Sequence, residues 1–102
     1  MGKVDLSVVI PSLGRETLER SINSISEPHL EIEIIVIVDK VPDLEALRQN
    51  FASKSNVLIV RGKNTGAPGA KNLGLELATG EYIGYLDDDD EWSAGKAHQQ
   101  IL

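Results

Sequence analysis

The sequence predicts an α/β fold in which a parallel sheet carries helices on both faces. Two observations predict this class. Short apolar runs alternate with segments of helical periodicity along the whole chain. The strongest of these runs are almost continuously apolar, as strands covered on both faces are. With 102 residues, we expect one small domain, residues 1–102, with four strands joined by right-handed crossovers.

The chain opens with a predicted strand and helix. Residues 4–10 form a near-continuous apolar run, and we expect Pro11 to end the strand. A helix is predicted over residues 15–26, because its apolar residues recur at i, i+4 and i+7 and so share one face. These residues are Leu18, Ile22 and Ile25.

The middle of the chain predicts two more strands with a helix between them. Residues 33–38 are the most apolar stretch and therefore the best candidate for a central strand. Residues 43–52 have the periodicity of a second helix. After a turn at Asn56, residues 57–60 form a short third strand.

The last part predicts a third helix, a fourth strand and the start of a final helix. The third helix ends near Ala78, with Gly80 in the left-handed position that often follows a helix. Residues 81–86 form the fourth strand. Ser93 can cap a helix that runs to the end of the chain.

Composition excludes several classes of protein. The formal net charge is -6 and the basic residues are dispersed, which argues against a nucleic-acid surface. The absence of cysteine excludes disulfides and thiolate metal sites. No segment is long and apolar enough to span a bilayer, and the amino terminus lacks the pattern of a signal peptide. We expect a cytoplasmic protein that contacts a membrane surface through a partner region outside this chain.

Four consecutive carboxylates, Asp87 to Asp90, directly follow the fourth predicted strand. Like charges this close repel one another, and a divalent ion with oxygen ligands, Mg²⁺ or Mn²⁺, offsets that cost. The alternative is a solvated acidic turn. The apolar run before the acids and Trp92 after them favour a metal site that is part of the fold.

Polar residues follow every predicted strand at its carboxyl end. In parallel sheets these ends lie at one edge, where ligands bind at a topological switch point. The alternative is that loops are polar in general. The residues concerned are Ser12, Arg15, Asp39, Arg61, Lys63, Asn64 and the four aspartates.

The connection over residues 64–74 is rich in glycine and leads into the third helix. It is neither a Walker loop nor the dinucleotide fingerprint. Its glycines allow a close backbone approach, so the helix amino terminus is a candidate anion site, and Lys71 adds a cation one turn in. The alternatives are a surface role for Lys71 and close packing of the helix on the sheet at Gly74.

Three motifs in this order carry a family resemblance: SVVIPSLGR, NTG followed by AKNLGLELATGEYI, and YLDDDDEW. Together they resemble the nucleotide-binding half of the family 2 glycosyltransferases, inverting enzymes of the GT-A fold. The resemblance covers essentially the whole chain. It implies a three-layer α/β/α arrangement, Rossmann-like, with a four-stranded parallel sheet in the order 3-2-1-4.

The resemblance also implies a donor, a cofactor and site residues. The donor is a nucleotide-diphosphate sugar, a UDP sugar above all, whose diphosphate is bridged by Mn²⁺ or Mg²⁺ to the D-x-D acids. Asp87 and Asp89 are then metal ligands, and Asp88 contacts ribose or metal. Pro11 and Ser12 would line the base pocket, and Asp39 would accept a hydrogen bond from the base or the ribose. Lys71 would lie near the nucleotide. The full set expected to bind the nucleotide sugar is Pro11, Ser12, Arg15, Asp39, Lys71, Asp87 and Asp88.

The chain departs from the family pattern in two places near the base pocket. Leu13 stands where the family has an aromatic residue, and Val38 precedes Asp39 where the family has two acids in succession. The family's acceptor half and its catalytic base lie beyond the D-x-D segment. We therefore expect a truncated donor-binding domain that is inactive in transfer by itself.

Two other functions are alternatives to this one. The first is a short non-catalytic nucleotide-binding or assembly module of the same fold. The second is a phosphotransfer domain, which fits worse because receiver-like domains need an acidic pair after the first strand, where Ser12 and Leu13 stand. Phosphatases with D-x-D-x-T need a threonine that residues 87–92 lack.

The end of the chain predicts self-association. Residues 94–102 carry an apolar stripe formed by Ala97, Ile101 and Leu102. An open sheet edge beside apolar surface favours contact with another copy. We expect a homodimer through the C-terminal helix and the edge of the fourth strand.

Overall fold

Strands and helices alternate along the chain, as the sequence predicts. The computed structural model describes residues 3–14, 16–25, 29–41 and 43–92. The elements of these residues are β1 (Leu6–Ser12), α1 (Leu18–Ser24), β2 (Ile32–Val38), α2 (Leu44–Asn50), β3 (Val57–Arg61), α3 (Gly66–Leu77) and β4 (Tyr82–Tyr85). The final helix predicted from Ser93 lies outside the described residues, and with it half of the predicted dimer surface.

The four strands form one parallel sheet in the order β3-β2-β1-β4. This order confirms the α/β class and the arrangement implied by the family resemblance. The chain moves outward from β1 through β2 to β3 and then crosses back to place β4 on the other side of β1. The switch point of the sheet therefore lies between β1 and β4.

The sheet is covered on both faces because its central strands are apolar on both sides. Val8 and Val36 point into a core shared with residues of α1 and α2. Val9 and Ile35 point the other way, into a smaller core closed by Ala70 of α3. This alternation with period two gives three layers, helix, sheet and helix, which confirms the predicted architecture.

The prediction that Pro11 ends β1 is wrong. The strand continues to Ser12 and pairs with β2 along its whole length, whereas its pairing with β4 stops at Val9. The backbone of Ser12 faces β2, where its carbonyl accepts from Asp39 N at 3.0 Å. Backbone groups alternate in direction, so the nitrogen of Pro11 faces β4, as does the Val9 carbonyl that accepts from Leu86 N. The proline thus ends the β1–β4 ladder instead of the strand, because it has no N–H to continue it.

The prediction of a left-handed Gly80 is also wrong. Helix α3 leaves through Ala78 in an extended conformation (φ -68°, ψ 139°), and Gly80 is not among the described glycines with positive φ. A Cβ on Gly80 would lie 2.7 Å from Ser7 N and 2.9 Å from the carbonyl carbon of Leu6. Glycine is needed here because the connection from α3 to β4 passes directly against β1.

The described helices are shorter than the periodicity predicts. The apolar stripe of α1 is correctly placed, since Leu18 and Ile22 are buried and Ile25 packs against the same core. This stripe is the buried part of the segment predicted as the first helix, residues 15–26. Residues on both sides of α1 in that segment lie partly outside the described residues. Within the described residues, even α3, with 12 residues, falls short of what crossing a membrane requires.

Both ends of the acidic segment after β4 are anchored in the core. Leu86 and Trp92 are each 6% exposed. The indole of Trp92 lies over Gly84, where an added Cβ would come within 2.9 Å of Cη2. The backbone N–H of Trp92 donates to Ser24 Oγ at 2.9 Å. Residues 87–91 therefore form a short arch with fixed ends at the carboxyl edge of the sheet.

Candidate functional site

A cleft of about 450 Å³ lies at the carboxyl edge of the sheet, at the switch point. Segments that follow all four strands contribute to its walls, because parallel strands end at the same edge. The lining residues are Pro11, Ser12, Leu13, Asp39, Lys40, Asn64, Gly66, Ala67, Ala70, Asp87, Asp88 and Asp89. The volume lies within the usual range of small-molecule sites, about 300–1,000 Å³.

The structure brings most of the predicted site residues together and places one of those it describes, Lys71, apart from them. Pro11, Ser12 and Asp39 share the cleft with the first three aspartates. Lys71 lines a neighbouring cleft of about 220 Å³, which shares only Asp87 with the first. Arg15 lies outside the described residues.

The position of Lys71 follows from its place on α3. Its Nζ lies 5.5 Å from the centre of the Tyr85 ring, within the range of a cation–π contact. The same small cleft contains Asp87, Asp90 and Glu91, so the lysine faces carboxylates instead of the main cleft.

Asp88 is the one buried member of the acidic run. It is 6% exposed, and its Oδ2 accepts hydrogen bonds from Ser12 Oγ at 2.9 Å and from Leu13 N at 3.3 Å. Its backbone carbonyl accepts from Thr17 Oγ1 at 2.6 Å, and Ser12 Oγ accepts in turn from Gly14 N at 2.9 Å. Asp88 therefore joins the loop after β1 to the segment after β4 and fixes the two sides of the switch point.

The other three aspartates form an exposed cluster. One carboxylate oxygen from each of Asp87, Asp89 and Asp90 lies within 4.8 Å of the others. The Asp90 N–H donates to the Asp87 carbonyl at 3.1 Å, and this tight turn places both side chains on one side of the arch. Three carboxylates at this spacing fit a hard divalent cation that prefers oxygen ligands. The metal ligands expected from the sequence were Asp87 and Asp89; the turn that adds Asp90 to the cluster is not visible in the spacing.

Asp39 lies across the cleft from the cluster and is also buried, 5% exposed. Its Oδ1 accepts from Asn64 N at 3.1 Å, and the Asn64 side chain accepts from Lys40 N at 3.2 Å. Sequence reasoning placed Asn64 at this edge without a role and did not identify Lys40. The signal for both was their position directly after β2 and β3.

Glycines shape the wall that α3 provides. Gly66, at φ +78°, opens the helix and lines the cleft together with Ala67. A Cβ on Gly74 would lie 2.3 Å from Val9 Cγ1, so this glycine lets α3 pack closely on the sheet, which was the packing alternative considered for it. Close packing of α3 keeps its amino terminus directed at the cleft.

The comparisons with known proteins agree with this fold. Residues 7–101 match the family described as Glycosyl transferase family 2. The amylovoran biosynthesis glycosyltransferase AmsB of Erwinia amylovora is 33% identical over 109 residues, 99% of this chain and 36% of that protein. The UDP-Glc:alpha-D-GlcNAc-diphosphoundecaprenol beta-1,3-glucosyltransferase WfgD of Escherichia coli is 32% identical over 99 residues, 94% of this chain and 39% of that protein.

A solved structure shows the same architecture. S. aureus TarS 1-349, crystallised in complex with UDP, matches with a TM-score of 0.76 and 25% sequence identity over 96% of this chain and 31% of that chain. The present chain thus spans between 31% and 39% of the length of these three proteins. The family match over residues 7–101, the identities above and the shared GT-A sheet show that the chain belongs to glycosyl transferase family 2.

Proposed function

We propose that the chain binds the nucleotide-diphosphate-sugar donor of a glycosyltransferase that transfers the sugar, with inversion, to an acceptor hydroxyl. The observation that carries this proposal is the single cleft that is lined by Pro11 and Asp39 and also by Asp87 and Asp89, two members of the aspartate cluster. A UDP sugar has the matching form, with a base at one end and a doubly charged diphosphate at the other. The UDP in the TarS structure supports this choice of ligand.

Each end of the donor has candidate partners. The base and ribose would lie against Pro11, Ser12 and Asp39. The diphosphate would lie toward the amino terminus of α3, where Gly66 and Ala67 line the cleft and the helix dipole favours an anion. Arg15 would bind the nucleotide sugar, as the family resemblance implies.

The phosphate end of the donor needs a cation because the cluster there is acidic. Asp87, Asp89 and Asp90 would hold Mg²⁺ or Mn²⁺. When bound, the ion supplies stabilisation of the negative charge that develops on the departing diphosphate. Lys71, in the neighbouring cleft that shares Asp87, would add positive charge from the other side.

We assign no catalytic base among the described residues. The aspartate cluster would hold the cation. Asp39 and Asp88 are buried, and the carboxylate of each accepts a hydrogen bond within the protein. An inverting transfer needs a base on the face of the sugar opposite the leaving group. The 102-residue chain is therefore expected to bind the donor without transferring its sugar.

Calorimetry of UDP binding in the presence of Mn²⁺ and in EDTA tests the donor site. We expect binding with the metal and none in EDTA, since the bare carboxylates repel a diphosphate. Inorganic pyrophosphate serves as the control ligand that lacks the nucleoside. Equal affinity for UDP in both buffers, or no binding at millimolar UDP with Mn²⁺, would contradict the proposal.

The acceptor of the whole protein is proposed from the relatives. WfgD is named for transfer to a sugar carried on diphosphoundecaprenol. We propose a lipid-linked hydroxyl as the acceptor, with the reaction at the cytoplasmic surface of a membrane. Transfer from UDP-glucose to a diphosphoundecaprenol-linked sugar, compared with the same sugar free in solution, distinguishes a lipid-linked acceptor from a soluble one.

We also propose that copies of the chain associate through the β4 side of the sheet. Within the described residues β4 pairs only with β1, and Tyr82 and Tyr85 on it are 45% and 42% exposed. A strand with one unpaired edge beside exposed aromatic side chains favours pairing with another chain. Light scattering at micromolar concentration should give a mass above 11.1 kDa, and a clean monomer mass would contradict the proposal.

A further inference from the structure

We propose that Asn64 is a positioning residue for nucleoside recognition, because it fixes the Asp39 carboxylate in the donor cleft. The inference rests on the proposed donor site and adds a residue to it. Neither a pairing of this asparagine with Asp39 nor a role for it follows from the sequence motifs.

The Asp39 carboxylate occupies a space that the fold reserves for it. A Cβ on Gly62 would lie 2.1 Å from Asp39 Oδ1, so the carboxylate fits only because residue 62 has no side chain. The backbone N–H of Asp39 is bound to the Ser12 carbonyl, which fixes the residue at the end of β2. A buried carboxylate in such a place requires a hydrogen-bond donor.

Asn64 supplies that donor through an unusual backbone conformation. At φ +58° its N–H points to Asp39 Oδ1 at 3.1 Å. Asparagine is one of the few residues other than glycine that adopt this conformation readily. Among the described residues Asn64 is the only partner of the Asp39 carboxylate, and the second oxygen, Oδ2, makes no hydrogen bond with them.

The side chain of Asn64 makes the arrangement rigid. Its Oδ1 accepts from the N–H of Lys40, which also has φ +58°. The loops after β2 and β3 are therefore joined by two hydrogen bonds that run in opposite directions and enclose Asp39. With Oδ1 held in this way, Oδ2 is the oxygen left to accept from the base or ribose of the donor.

Asn64→Gly separates positioning from general stability. Glycine keeps φ +58° and the N–H donor to Asp39 but removes the acceptor for Lys40, so it loosens the carboxylate without deleting it. We expect the affinity for UDP with Mn²⁺ to fall by about 2–10-fold, the equivalent of one hydrogen bond. The affinity for pyrophosphate with Mn²⁺ should not change, since that ligand has no nucleoside.

Asn56→Gly is the matched control. Asn56 also bonds a backbone group, the Ile32 carbonyl at 3.2 Å, but at the opposite end of the sheet. We expect this variant to bind both ligands as the parent does. Amide hydrogen exchange adds a test without ligand: Lys40 N–H should exchange slowly in the parent and faster in Asn64→Gly.

The outcomes distinguish this inference from the donor site itself. If the parent binds neither UDP nor pyrophosphate with Mn²⁺, the donor site is wrong and the role of Asn64 is wrong with it. If the parent binds UDP and Asn64→Gly binds it equally well, only the role of Asn64 is refuted. An equal loss for UDP and pyrophosphate would also refute it, because that result reports a damaged fold.

Discussion

Replacing Asp87 with asparagine should stabilise the metal-free protein and weaken its response to Mn²⁺. Oxygens of the three exposed aspartates lie within 4.8 Å of one another. At that separation two unit charges repel by about 0.9 kcal/mol at the dielectric constant of water, so removing one charge relieves about 1.7 kcal/mol. Screening at physiological salt reduces this to about 1 kcal/mol.

The net effect on folding is smaller because adjacent aspartates also repel one another in the unfolded chain. A gain of about 0.5 kcal/mol is expected, which corresponds to a rise in Tm of about 2–4 °C for a domain of this size. The effect of metal has the opposite sign. Mn²⁺ at ten times its Kd stabilises the parent by about 1.4 kcal/mol, and a tenfold weaker site reduces this to about 0.4 kcal/mol.

Thermal melts with Mn²⁺ and with EDTA measure both effects in one experiment. Glu91→Gln is the matched control, since it removes the same charge next to the cluster. It loses only an exposed contact with Arg20 at 3.8 Å, so the response to Mn²⁺ should stay as in the parent. A lower Tm of metal-free Asp87→Asn would show that the carboxylate is structural. An unchanged Mn²⁺ response would show that it is not a ligand.

Two further variants test the contacts around the sheet. Ser12→Ala should reduce the free energy of unfolding by about 2–3 kcal/mol, measured in urea, because the buried Asp88 carboxylate loses its hydroxyl donor; a loss below about 0.5 kcal/mol would contradict that reading. Partial burial raises the pKa of Glu33, but hydrogen bonds from Ser7 and Thr79 outweigh it and hold that pKa below its usual value. The stability that Glu33 contributes is therefore present above pH 4.5 and lost as the pH falls through the lowered pKa. Glu33→Gln should cost about 1 kcal/mol or less at pH 7 and nothing near pH 2, and a cost that does not vary with pH would refute this.

The sequence predicts those features that depend on periodicity and on the geometry of parallel sheets. Val9 and Ile35 face one core and Val8 and Val36 the other because alternate residues of a strand point to opposite faces. Asp39 and the first three aspartates of the run meet in one cleft because the carboxyl ends of parallel strands share an edge. Neither result requires knowledge of side-chain packing.

The features that the sequence does not predict depend on direction within the folded chain. Pro11 is compatible with a central strand only because its nitrogen faces the side from which β4 has departed. Asp90 joins the cluster through the turn closed by its N–H and the Asp87 carbonyl. Lys71 faces the smaller cleft because its position on α3 directs the side chain there. The role proposed for Asn64 depends on a positive φ, a conformation that asparagine permits but does not dictate.

The four aspartates serve two opposing needs, and their exposure shows how the fold meets both. Asp88 points inward and is bound to Ser12, whereas Asp87, Asp89 and Asp90 point outward. Three outward carboxylates at this spacing would tend to move apart without a cation. The inward carboxylate and the buried residues on either side of the run oppose that movement. The cluster is therefore held at the cleft before any ion binds, which lowers the cost of ordering the site when one does.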